Sequence, residues 1–176
     1  MNSKLQFIFS RRSVRRYLDR SISDEILTDL MEAAMAAPSA VAKDPWNFIV
    51  VRDRTTLDRI ADFLPHGKML RQAAAAIVVC GDIDRAHDGM ESYMLQDCSA
   101  AIENILLAAT ALGLGSCWLG VHPRPDRIEG VRALFNLPPN IIPVSGIALG
   151  WPEEKKEPRT RHREEAIHWE KWGTRP

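Results

Sequence analysis

Residues 91–120 read ESYMLQDCSAAIENILLAATALGLGSCWLG, and this stretch sets the expected plan of the molecule. Apolar side chains between residues 91 and 112 cover more than one face of the predicted helix. A helix of that kind is expected to cross the middle of a protein rather than lie on its surface. Gly113 and Gly115 then end the helix, and residues 116–119 are predicted to form a brief strand.

The sequence on either side of this stretch alternates between helical and strand patterns. Further strands are predicted over residues 47–51, 75–80 and 142–149. Further helices are predicted over residues 4–10, from the Ser23 N-cap to Pro38, over residues 56–64 and over residues 126–135. Strands separated by helices indicate a mixed sheet packed between helical layers.

Length, composition and charge restrict the class of protein. The 176 residues, 45% apolar and 26% charged, predict a single globular domain over residues 1–176. Equal numbers of basic and acidic residues, 23 of each, argue against a nucleic-acid partner. No apolar run approaches the roughly 18 residues of a membrane span, and the N-terminus does not resemble a signal peptide. Three cysteines in apolar surroundings predict free thiols and a cytoplasmic protein.

Two clusters of arginine stand near the two ends of the chain. The first is the run Arg11-Arg12-Ser13-Val14-Arg15-Arg16-Tyr17 (residues 11–17, the arginine segment). The second comprises Arg159, Arg161 and Arg163, at alternate positions that face one way in an extended chain. Guanidinium forks and a serine hydroxyl suit phosphate oxygens, so each cluster is a candidate anion site. Solvated surface charge is the alternative for both.

Three other features are candidates for ligand or partner contacts. The loop over residues 37–46 is rigid and rich in small residues, which permits a flat ligand to approach, although a plain helix–strand connection has the same composition. Gly120 can expose a backbone N–H at a strand end. The C-terminal tail (residues 153–176) is polar but carries Trp169 and Trp172, so it is expected to dock on this chain or on a partner, a frayed terminus being the alternative. No metal-binding spacing, nucleophile elbow or Walker sequence is found.

Taken together, these features resemble the nitroreductase family of FMN-dependent oxidoreductases. The resemblance extends from Phe9 to Trp172. It is carried by four segments in family-like order: residues 11–15, residues 37–40 with Pro45 and Trp46, residues 113–120, and residues 167–172.

The resemblance implies an α+β fold, an intertwined homodimer and two FMN molecules at the subunit interface. The flavin-binding residues that it implies in the first half of the chain are Arg11, Arg12, Ser13, Arg15 and Lys68, with Pro38, Ser39 and Ala40 reaching the flavin of the partner subunit. In the second half they are Leu119 and Gly120, whose backbone would meet the ring N5, and Arg161 at the phosphate, with Arg159 or Arg163 as alternates.

The activity that the resemblance implies is transfer of electrons from NADH or NADPH, through FMN, to an electron-poor small molecule such as a nitroaromatic or a quinone. The flavin carries the chemistry, so no obligatory catalytic side chain is expected. The alternatives are an FMN-binding or sensory module with little turnover and, less favoured, a nucleic-acid surface. The chain departs from the family pattern at Ala42 and Asp44, where many members carry Asn and Gln, and this leaves the acceptor open.

Overall fold

Four strands form one antiparallel sheet in the computed structural model, which describes residues 2–175; residues 1 and 176, the ends of the predicted domain, lie outside this range. The spatial order is β1-β2-β4-β3. The strands are β1 (Trp46–Val51), β2 (Ala75–Asp82), β3 (Gly115–Gly120) and β4 (Ile141–Gly150). The predicted strands are confirmed to within two residues at each end.

Five α-helices accompany the sheet. They are α1 (Gln6–Ser10), α2 (Asp24–Met35), α3 (Arg54–Phe63), α4 (Glu91–Ala111) and α5 (Pro125–Phe135). Short 3₁₀ turns occupy residues 3–5, 40–42, 68–71, 87–89 and 164–166. The predicted α+β class is confirmed. Helix α2 ends at Met35, earlier than the predicted end at Pro38, because a proline disfavours helical geometry in the residue before it. Among residues 2–175, no helix is long and apolar enough to cross a bilayer.

The alternation of side chains along β2 divides the interior into two cores. Ile77 and Val79 point to one face, where they pack in a cluster that includes buried residues of α2 and α4. Ala76 and Val78 point to the other face, toward a cluster built on α3 and α5. Each fully buried aliphatic side chain of this kind contributes about 1.5–3 kcal/mol. The prediction that α4 runs through the middle of the molecule is confirmed, since eight of its side chains are buried.

The arginine segment lies alongside β3 as an extended chain. Val14 N–H donates to the Ser116 carbonyl over 2.9 Å, and Ser13 forms a parallel bridge with Ser116. Within residues 2–175, parallel pairing is found at this bridge, whereas the four named strands all pair antiparallel. The mixed character expected from the sequence is therefore confined to this edge.

Two glycines that face each other across the β3–β4 ladder make room for the arginine segment. Gly115 pairs with Gly150 in the register. A Cβ at Gly115 would lie 2.8 Å from Cβ of Val14, and a Cβ at Gly150 would lie 2.8 Å from Cγ of Tyr17. Any larger residue at either position would push the segment off the sheet.

The beginning of the C-terminal tail holds the other side of the arginine segment. Lys156 Nζ donates to the Ser13 carbonyl over 2.6 Å and lies 3.1 Å from Glu154 Oε1. The same Glu154 oxygen accepts the Arg15 backbone N–H over 2.7 Å. That N–H, more than Lys156, lowers the pKa of Glu154 below its ordinary value. The tail therefore docks on this chain at its start, whereas Trp172 near its end is 90% exposed.

The loop between α2 and β1 adopts a backbone that is unusual for its residue types. Val41, Ala42 and Asp44 have φ of 53°, 52° and 48°, in the left-handed region that favours glycine. Asp97 of α4 is buried, and its Oδ1 accepts the Ala40 backbone N–H over 2.9 Å. Within the loop, Ser39 Oγ accepts the Asp44 backbone N–H over 3.0 Å. These contacts hold the loop in a conformation that its sequence alone disfavours.

Replacing Ala42 with glycine should stabilise the protein. The left-handed conformation costs an L-residue about 1–2 kcal/mol, and glycine avoids this cost. Glycine also makes the unfolded chain more flexible, which offsets about 0.5–1 kcal/mol of the stabilisation. We expect the free energy of unfolding to rise by about 0.5–1 kcal/mol in urea titrations of A42G. A36G is the matched control, because Ala36 is equally exposed but has φ of −79°. A42G and A36G being destabilised to the same extent would contradict the strain.

Glu154→Gln should reduce stability in a pH-dependent way. Because the folded-state pKa of Glu154 is lowered, its stabilising contribution is complete above the unfolded-state pKa of about 4.3 and is lost as pH falls through the folded-state value. The difference in free energy of unfolding between wild type and E154Q should therefore be positive at neutral pH and shrink in acid. Urea titrations at a series of pH values measure it. Glu129→Gln, at an exposed position of α5, is the control, and a difference that grows in acid would refute the assignment.

Candidate functional site

Cationic side chains from both ends of the chain line one cavity of about 410 Å³ (the cationic cavity). Ser13 also lines it, and no carboxylate does. Its six cationic residues are Arg11, Arg12, Arg15, Lys156, Arg159 and Arg161. The structure thus brings together two arginine clusters from opposite ends of the sequence, where the contact between Arg12 and Glu157 joins residues 145 positions apart.

Backbone contacts bring the two clusters together. The Arg159 backbone N–H donates to the Phe9 carbonyl over 3.0 Å, and the Arg12 guanidinium donates to the Glu157 carbonyl. The alternation of an extended chain places Arg159 and Arg161 on the same side, as expected. Arg163 is not among the lining residues and instead lies 3.8 Å from Glu165.

The charge in the cationic cavity is only weakly compensated. Arg11 lies 3.5 Å from Glu103 of α4, which does not line the cavity. Glu154 accepts the Arg15 backbone N–H and pairs with Lys156. Burial raises the pKa of Glu103, and Arg11 opposes that shift. Two like charges about 8 Å apart repel by about 0.5 kcal/mol even in water. The cavity is therefore suited to a small polyanion such as a phosphate ester.

A second cavity, of about 210 Å³, lies where β3 ends (the strand-end cavity). Leu119 and Gly120 line it, as does Arg15, which also lines the cationic cavity. The two cavities therefore adjoin. Lys68 is exposed and does not line either, but it directly precedes Met69, which lines the strand-end cavity.

The cysteines offer no nucleophile. Cys117 lines the strand-end cavity, and burial raises the pKa of its thiol, with Arg15 and Lys156 opposing the shift. Burial raises the pKa of Cys80 and Cys98 to about 12. All three are free thiols, as predicted, and are protonated at neutral pH.

The remaining predicted residues, Pro38, Ser39 and Ala40, line neither cavity of the same chain. They lie in the strained loop, which is fastened to α4 through Asp97. This separation within one chain is compatible with their expected role toward a partner subunit. No group of three or more metal-ligating side chains occurs among residues 2–175.

Sequence reasoning missed three basic side chains of the two cavities. Lys156 stands in a charged run with several other cations, and nothing in the sequence shows which of them points inward. Arg127 of α5 and His66 both line the strand-end cavity, yet neither stands in a recognisable motif. Only the approach of α5 and the residue 64–66 turn to β3 reveals them.

Known proteins match this chain over nearly its whole length. A family model described as the nitroreductase family matches residues 8–65 and 63–151. A proposed NADH dehydrogenase/NAD(P)H nitroreductase of Archaeoglobus fulgidus is 47% identical over 175 residues, which cover 98% of this chain and 100% of the relative.

Solved structures agree with the sequence matches. A proposed NADH dehydrogenase/NAD(P)H nitroreductase from Parabacteroides distasonis superposes with a TM-score of 0.91 at 43% identity, covering 98% of this chain and 100% of the other. A proposed nitroreductase from Desulfovibrio desulfuricans, solved in complex with FMN, has a TM-score of 0.84 at 33% identity and covers 98% and 99%. The chain belongs to the nitroreductase family.

Proposed function

We propose that this chain is an FMN-dependent oxidoreductase that takes electrons from NADH or NADPH and passes them to an electron-poor small molecule. The observation that carries the proposal is the cationic cavity, in which cations from both ends of the chain surround a space that adjoins the strand-end cavity. The flavin-bound relative and the names of the NAD(P)H-dependent relatives support it.

The residues present fit the phosphate end of FMN. A phosphate monoester carries about −1.5 to −2 charges at neutral pH, and the cationic cavity offers forked donors without a competing carboxylate. Arg11, Arg12 and Ser13 would hold the phosphate from one side. Arg161, with Arg159 beside it, would hold it from the other.

The flavin ring would occupy the strand-end cavity. When bound, FMN supplies the hydride and electron chemistry between nicotinamide and acceptor. Leu119 and Gly120 present the backbone that would meet N5 of the ring. Arg15, between the two cavities, would stabilise negative charge at the N1/O2 edge, with Lys68 as a second cation nearby. Nicotinamide and acceptor would stack on the exposed face of the bound ring in turn, which makes the cycle ping-pong.

We infer a homodimer with shared flavin sites. Within one chain, Phe7 is 43% exposed, Trp169 55% and Trp172 90%, and large aromatic side chains of this kind each bury about 150–250 Å² in a partner. The tail (residues 153–176) starts on its own chain, and its end, with Trp169 and Trp172, would dock on the partner. Pro38, Ser39 and Ala40 would reach the partner's flavin. Three protonated free thiols fit the reducing environment of the cytoplasm.

Anaerobic mixing of the FMN-loaded protein with NADH or NADPH tests the activity. We expect the visible absorbance of the flavin to fall rapidly with at least one of the two nucleotides and to return when a quinone or nitroaromatic is added. An FMN-binding module with little turnover is the second candidate. It would stay yellow under excess reductant.

The phosphate assignment predicts which arginines of the tail contribute to FMN binding. Arg159→Gln and Arg161→Gln should each weaken FMN binding about 10- to 150-fold, since a charge-assisted contact is worth about 1.5–3 kcal/mol. Arg163→Gln removes the same charge from the same tail, but outside the cavity, and should change the dissociation constant less than either. Titration of the apoprotein with FMN by fluorescence quenching measures all three. Equal effects of the three substitutions would show that the tail acts only through its overall charge.

A further inference from the structure

Arg127, the third residue of α5, is a half-buried cation without a carboxylate partner. Its Nη1 donates to the Gly120 carbonyl over 2.8 Å, and its Nε is buried with no hydrogen-bond acceptor. No ion pair of the described residues includes it. Arginines elsewhere on the surface, such as Arg52 and Arg71, do pair with aspartates.

The strand-end cavity around Arg127 is basic. Arg15 and His66 line it as well, and none of its lining residues is acidic. The proposed function employs Arg15 at the flavin ring, but it leaves Arg127 and His66 unused. The guanidinium of Arg127 and the ring N–H of His66 are both hydrogen-bond donors, so both residues are suited to an anion.

We propose that Arg127, with His66, recognises a carboxylate or similar anionic substituent on the electron acceptor. This inference rests on the proposed function and specifies its substrate class: electron-poor aromatic acids rather than neutral aromatics. The redox balance is that of a nitroarene reduction, in which ArNO₂ + NAD(P)H + H⁺ gives ArNO + NAD(P)⁺ + H₂O, and the anionic group takes no part in bond changes.

The position of Arg127 supports a role toward the acceptor. Gly120 would present its backbone N–H to the flavin N5, and its own carbonyl is bonded to Arg127. Because one residue spans only about 3.5 Å of chain, the guanidinium would lie close to the position that N5 takes. An anionic group bound there would place the attached ring over the flavin near N5, where hydride is passed on. A guanidinium that already has one donor fixed by Gly120 is preorganised, which favours forked recognition of a carboxylate.

Binding of matched probes to the oxidised FMN-loaded protein, without reductant, tests the proposal free of turnover. The probes are 4-nitrobenzoate and 4-nitrobenzamide, which differ in charge but little in shape. Isothermal titration calorimetry should give a dissociation constant at least about tenfold lower for the carboxylate in the wild type. In Arg127→Gln the preference should fall below about threefold, and in Arg127→Lys, which keeps the charge but not the fork, it should be intermediate.

Arg124→Gln is the matched control, because it removes one positive charge at an exposed position three residues before Arg127. The preference should persist in R124Q. The proposal is overturned by any of three results: equal affinity for both probes in the wild type, equal loss of preference in R124Q and R127Q, or equal weakening of both probes in R127Q, which would mean that Arg127 acts only by holding Gly120.

Two further measurements separate this inference from the proposed function. Failure of the wild type to bind FMN or to be reduced by NADH or NADPH would refute the proposed function itself. If the wild type is reduced normally and R127Q slows only that reduction, with the preference between probes intact, then Arg127 serves the nucleotide and the acceptor proposal is wrong.

Discussion

The contact on which the rest of the site depends is the seating of the arginine segment between β3 and the start of the tail. It is possible because Gly115 and Gly150 oppose each other in the ladder and leave space for Val14 and Tyr17. The Tyr17 hydroxyl donates to the Val14 carbonyl over 2.7 Å, which fixes the segment's bend, and burial raises the pKa of Tyr17 so that this donor stays protonated. The absence of a Cβ atom at Gly115 and at Gly150 therefore determines the position of the four arginines of the segment.

The cations of the cationic cavity repel one another, and the backbone contacts around the cavity hold them in place against that repulsion. Side chains of this length would spread apart if their backbones were free. Here the backbones are fixed by β-bridges at Ser13 and Tyr17 and by the bond from Lys156 to the Ser13 carbonyl. The cations are thus arranged before an anion arrives, and binding does not have to order them. The same hydrogen bonds that attach the tail to the sheet also complete the cationic cavity, so fold and site are built from one set of contacts.

The sequence predicted most of the fold because its signals are local. The apolar run of β2, bounded by Gly81 and alternating between the two cores, and the many-sided α4 identify themselves without tertiary information. Only part of the candidate site could be predicted from the sequence. The arginine segment is a dense local pattern, and its relation to the tail came from the family resemblance. Lys156, His66 and Arg127 were missed because their importance arises from where α5 and the tail fold back, and nothing in their sequence surroundings distinguishes them from solvated charge.

The loop at residues 38–44 combines a strained backbone with the two positions at which this chain departs from the family pattern. Positions 42 and 44 both have positive φ, a conformation that asparagine and aspartate tolerate better than alanine does. This chain has Ala42 and Asp44, and it supports the loop through Ser39, which bonds Asp44, and through Asp97, which bonds Ala40. The charge of Asp44 is thereby tied into the loop. The two amides that the resemblance leads one to expect at these positions are therefore replaced by a methyl group and by a carboxylate held within the loop. Arg15, Arg127 and His66 line the strand-end cavity, and no acidic residue does, so the acceptor selectivity that we propose rests on charge rather than on an amide or hydroxyl pattern.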